Sequence, residues 1–105
     1  MNRENFLSLI TASVVVTTVE PFGEVRLKQL TEPQVTGARE ASGKDNADFC
    51  RRLVVMSLID ENDAPILSDT DLPALASGAF GPIDALVGAV LKANRIGQAE
   101  SAVKN

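Results

Sequence analysis

An α+β fold, mainly helical, is the architecture this sequence predicts. It consists of a short N-terminal helix, an antiparallel β-hairpin, and a bundle of about four helices around a central buried one. Three observations predict it. Residues 13–20 form a β-branched run (Val14, Val15, Val16, Thr17, Thr18, Val19); Pro21-Phe22-Gly23 breaks it, and Val25 and Leu27 then alternate with Glu24, Arg26 and Lys28. Around residue 46 begins a segment that is apolar over most of a helical circumference. Near the C-terminal end, Ile83, Leu86, Val87, Val90 and Leu91 recur at the spacing of one helix face.

In chain order, residues 3–10 place Phe6, Leu9 and Ile10 on one face of a helix too short to persist without tertiary contacts. The two β runs follow as a hairpin. Its second strand has one wet face, and its first, which alternates less cleanly, is expected to be the more fully buried. A lone hairpin is marginal in water, so it must pack on helices or pair with another chain, a second copy included. Thr31 can cap a helix starting at Glu32-Pro33, since proline in the first turn loses no needed hydrogen bond. That helix, running to about Ser42, is weakly apolar (Val35, Ala38, Ala41), carries Gly37, and is expected to be the least stable segment.

The stretch 46–69 organises the rest. At roughly 100° per residue, Ala47, Phe49, Cys50, Leu53, Val54, Met56, Ser57 and Leu58 fall in one arc, while Asp48, Arg51 and Arg52 lie outside it, joined in the second half by Val55 and Ile59. Asp45 or Asn46 can cap its start, and residues 60–65 end it. Leu53, Met56 and Leu86 are expected core residues. Beyond this helix, residues 65–67 read as extended, and Ser68 with Asp71 forms a capping box. It opens a short helix through Leu72, Leu75 and Ala76 that stops at Gly78. The last helix has Pro82 in its first turn and Gly97 as its expected stop, with Ala85, Gly88 and Lys92 on its outer face. Residues 1–96 thus read as one domain, and 97–105, without apolar periodicity, as a disordered tail.

Composition narrows the function classes. The 105 residues include four Phe, no Trp, no Tyr and no His, with a formal charge of −4. An acidic chain poor in rings lacks both the clustered cations that hold phosphates and the platforms that stack bases, which argues against nucleic acid. One cysteine, Cys50, cannot form an internal disulfide. Without histidine it has neither a zinc partner nor an activating base, and it reads as a small buried hydrophobe. No apolar run approaches the roughly 20 residues of a membrane span, and the first 20 residues lack a leader pattern, so a cytoplasmic protein is expected.

The one acidic cluster, Asp60, Glu61, Asn62 and Asp63 with Asp69 and Asp71, fails as a calcium loop. Counting from Asp60, the fifth position is Ala64 and the glycine position is Pro65. It reads as a solvated turn. Arg51-Arg52 reads as a solvated face, and Gly78, Gly81 and Gly88 match no phosphate loop. No nucleophile, base and electrophile come together, so no catalysis, cofactor or metal is expected.

A series of phrases in order carries a resemblance. After the short helical start comes Gly23-Glu24-Val25-Arg26-Leu27-Lys28-Gln29-Leu30-Thr31, and later Arg52-Leu53-Val54-Val55. Then follow Leu58-Ile59-Asp60-Glu61-Asn62-Asp63-Ala64-Pro65-Ile66-Leu67-Ser68-Asp69 and a closing helix through Leu91-Lys92-Ala93-Asn94. Across most of residues 3–96 this resembles the tail assembly chaperones of long-tailed bacteriophages and prophages. That family often has glycine in the acidic turn, where this chain has Ala64.

The resemblance implies a non-catalytic protein of the host cytoplasm. It would hold the tape measure protein soluble, help recruit major tail tube subunits, and be absent from the finished virion. It also implies a longer product made by a one-base backward ribosomal slip near the end of the short frame. Codons for Val103-Lys104-Asn105 are the proposed place for that slip, since Lys and Asn can read as a run of adenines. The expected contact surface is the apolar strand face of Val25 and Leu27 at the hairpin edge, together with Val35 beside the weak helix. A head–tail connector and an adaptor or antitoxin-type module remain the alternative classes.

Overall fold

The structure, a computed structural model, describes residues 1–96. Its elements are α1 (Arg3–Ile10), β1 (Val14–Val19), β2 (Gly23–Lys28), α2 (Glu32–Ser42), α3 (Asn46–Ser57), β3 (Leu58–Ile59), a 3-10 turn (Asp69–Asp71), α4 (Leu72–Ala76) and α5 (Phe80–Ala93). The strands form an antiparallel sheet in the order β1-β2-β3. The architecture is α+β and mainly helical, with a short helix and a hairpin first, as the sequence predicts.

The core grows from α3. Asp45 caps it, its carboxylate accepting from the Asp48 N–H at 3.0 Å. Phe49, Leu53, Val54, Val55 and Ser57 are buried, and Leu53 is 0% exposed. Arg52 stays on the outer side, paired with Asp48 at 2.7 Å one turn back. The helix packs against α2, α4, α5 and β2, which is why it needs apolar residues on so many sides. Met56, expected in the core, is only half-buried against it.

Leu58 lies in the apolar arc and Ile59 continues the apolar run on the polar side, yet the helix ends at Ser57 and the next two residues form β3 against β2. The switch coincides with a bond to a residue distant in sequence. The Ser57 hydroxyl donates to the Lys28 carbonyl at 2.8 Å and is fully buried, tying the last helical residue to the sheet. Ile59 then lies opposite Arg26 and bridges to Pro65. The Asp60 carboxylate closes the following turn by accepting from the N–H groups of Asn62 (2.8 Å) and Ala64 (3.0 Å). Arg26 holds the same turn through the Asp60 carbonyl and the Asp63 carboxylate.

A second difference concerns the hairpin. The expected order of burial is reversed: β2 is the central strand, with Leu27 at 0% and Val25 at 8% exposure, whereas β1 alternates exposed and half-buried residues as far as Val19. The reason is pairing order. A third strand docks on β2, leaving β1 at the edge.

The remaining helices use their caps. Thr31 and Gln34 form a reciprocal box at the start of α2, and the Arg39 guanidinium lies 3.8 Å from the centre of the Phe49 ring. Ser68 donates its N–H to the Asp71 carboxylate at 2.9 Å. In α5, Leu86, Val90 and Ala93 are buried, and Ala85, Gly88 and Lys92 face outward as expected. The helix stops at Ala93, short of the expected Gly97. Asn94 accepts from the Leu30 N–H at 2.6 Å, and Arg95 turns left-handed at φ 56°. Gly97 and the expected tail, 97–105, lie outside the described residues.

Candidate protein-binding surface

Helix α1 is held at its start by Asn2, whose side chain accepts from the Asn5 N–H at 2.8 Å. Among the described residues little else holds it. None of its residues is buried, and Phe6 (50% exposed), Leu9 (74%) and Ile10 (62%) present their apolar area to solvent, with Leu7 partly so. At roughly 100° per residue Leu9, Phe6, Ile10 and Leu7 share one side, with Arg3 at its N-terminal end, while Glu4, Asn5 and Ser8 share the other. A helix of this length has little stability of its own. A contiguous apolar side of this kind marks a contact site more often than a free surface.

Beneath the end of α1 runs an open groove of about 840 Å³. Leu9 and Ile10 form one side; Leu30, Thr31 and Glu32 at the start of α2, with Ala93 and Asn94 at the end of α5, form the other. Its floor is fixed by the side chains of Gln29 and Asn94. Gln29 donates to the Ala93 carbonyl at 3.2 Å and accepts from the Ser13 N–H at 3.0 Å, joining α5, β2 and the root of β1. The groove thus lies where α5 and the root of β1 are tied together, with an apolar helix beside it.

The residues expected to meet a partner sit elsewhere. Val25 and Leu27 point inward onto α3 and α5 as core residues, so neither is available for contact in this fold. Alternation identified their face correctly as apolar, but that face is already covered. Val35 is half-buried against the same core. The accessible hairpin residues are instead on β1, where Val14 (36%) and Val16 (49%) lie on the face away from the core.

Other polar and reactive groups fall into structural places. Cys50 is half-buried, and burial pushes its thiol pKa up against the opposing pull of Arg39 and Arg51, so it stays protonated at neutral pH. It lines a small recess with Leu75, Phe80, Ile83 and Val87. Among the described residues no three acidic, cysteine or histidine side chains gather as a metal site, and no helix is long and apolar enough to cross a membrane. The acidic turn uses Asp60 to close itself and Asp63 to pair with Arg26.

With this geometry in hand, the chain was compared with known protein families, with characterised proteins and with solved structures, and none matched.

Proposed function

We propose that this chain is a tail assembly chaperone of a long-tailed phage or prophage, working in the host cytoplasm without catalysis, cofactor, nucleic acid or membrane. It binds the tape measure protein, helps recruit major tail tube subunits, and leaves before the virion is complete. The supporting observation is α1: an amphipathic helix whose apolar side has no cover among the described residues, above a groove that would admit a second helix. A long helical client offers apolar stripes of the same kind, and helix-on-helix contact buries both. The identity of the client is taken from the resemblance of the phrases from Gly23 to Asn94 to that family.

Co-expression with the tape measure protein encoded nearby tests the reading. The client should stay soluble with this chain and precipitate without it, and a variant with Phe6, Leu9 and Ile10 all changed to Ser should fail to protect it. Equal solubility in all three cases would remove the proposal. Detection of the chain in purified particles would assign it to the virion structure instead. The ribosomal slip is tested separately, by sequencing the gene and probing a lysate with antibody to residues 1–96 for a longer minor product.

A further inference from the structure

The edge of β1 is a second open surface, separate from α1. The Gln29 N–H donates to the Ser13 carbonyl at 2.8 Å, so Ser13, Val15, Thr17 and Val19 turn their backbone groups towards β2. By the same alternation Val14, Val16 and Thr18 turn theirs outward, and among the described residues these have no backbone partner. Soluble proteins protect such edges with lysine, proline or bulges; β1 contains none of these in six residues. The space beside it is a groove of about 670 Å³ walled by Ala85, Gly88 and Ala89 of α5, side chains small enough to leave room for another element.

Charge selects the occupant. Lys92 and Arg95 line the groove, flanking Ala93, which is bonded to Gln29 opposite the root of β1; Glu20 lies at the other end of the strand. A strand added antiparallel to β1 must therefore bring an acidic residue to the Lys92–Arg95 end. We propose that the occupant is β1 of a second copy, paired about a two-fold axis at Val16, so that Val14 lies opposite the partner's Thr18. In that register all six outward-facing residues bond across the axis. The partner's Glu20 falls opposite Ala12, towards Lys92 and Arg95, and the reciprocal contact forms on the other protomer. The two three-stranded sheets become one sheet of six, and α1 stays free on each protomer. Phe6, Leu9 and Ile10 take no part, so this pairing stands or falls independently of the client-binding reading.

Sedimentation equilibrium of the full chain across a dilution series is the test. Wild type should show reversible association to twice the 11.1 kDa monomer mass. Val16→Pro removes an outward N–H that has no bond in the monomer, and should weaken association about tenfold or more with an unchanged helical circular dichroism spectrum. Glu20→Lys should also weaken it, as should Lys92→Glu with Arg95→Glu, and combining all three should restore it. A wild type that stays monomeric throughout overturns the proposal, as does a dimer indifferent to both Val16→Pro and the charge reversals. Should Val16→Pro disturb the fold, restoration by the combined reversals decides alone: restored association upholds the pairing, and no restoration overturns it. A chain ended after Ile96 that dimerises where the full chain does not would show that residues 97–105 occupy the edge, and would also overturn it.

Discussion

Helix α3 buries Phe49, Leu53, Val54, Val55 and Ser57 along its length, whereas α1 buries none of its residues although Phe6, Leu7, Leu9 and Ile10 make half of it apolar. Chemically the two stretches are alike. What separates them is what surrounds each. α3 enters the middle of the chain with α2, α4, α5 and β2 closing on it from different sides, and its apolar surface is spent on folding. α1 leaves the hairpin root through Thr11 and Ala12 and meets little among the described residues, which leave its apolar surface uncovered. The contrast teaches that an apolar helix is evidence of a contact, while the topology around it decides whether the contact is internal.

The sharpest way to break the comparison is to damage α3. Leu53→Ala removes a side chain with no solvent exposure and leaves a cavity among four packed elements, and should cost about 2–5 kcal/mol in chemical denaturation. A loss below about 1 kcal/mol would mean that α3 is no more central than α1.

A smaller effect probes the join between α3 and the sheet. Ser57→Ala deletes the buried hydroxyl that donates to the Lys28 carbonyl and leaves that acceptor without its partner, an expected loss of about 1–3 kcal/mol. Hydrogen exchange should accelerate at β3 more than in the first turn of α3, since the broken bond is the one that stops the helix at Ser57. The opposite end gives the next step down. Asp45→Ala removes the cap on the Asp48 N–H and should cost about 1 kcal/mol, read as a lower melting temperature with fraying confined to the first turn.

These sites also show what local pattern conveys. The cap at Asp45, the box at Ser68 and Asp71, and the face of Leu86 and Val90 were legible, because each depends on residues within a turn or two of one another. The strand at Leu58–Ile59 was not: two apolar residues can end a helix as well as form a strand, and here they follow a bond to Lys28, distant in sequence. Burial of the hairpin was misjudged for the same kind of reason. Strand composition does not say which strand a third one will join, and docking of β3 on β2 turned Val25 and Leu27 into core and β1 into an edge. The apolar side of α1 was visible from Phe6, Leu9 and Ile10, and so was its need for contacts. Only the fold shows that those contacts are not supplied by the described residues.

The smallest expected change in stability is the most informative about α1. Replacing Phe6, Leu9 and Ile10 together by Ser removes apolar groups that are each at least half exposed, so little burial is lost and no cavity forms. Stability of the isolated domain should shift by no more than about 0.5 kcal/mol in all, in contrast to the Leu53 variant. Helical content should fall slightly, since serine favours the helix less and α1 has no packing to compensate. The two helices would then differ in kind: a change in α3 destabilises the protein, while a change in α1 leaves its stability nearly unchanged. If the triple variant instead melts as far below wild type as Leu53→Ala does, α1 folds back onto the domain in solution, and its apolar side is a piece of core rather than a surface for another protein.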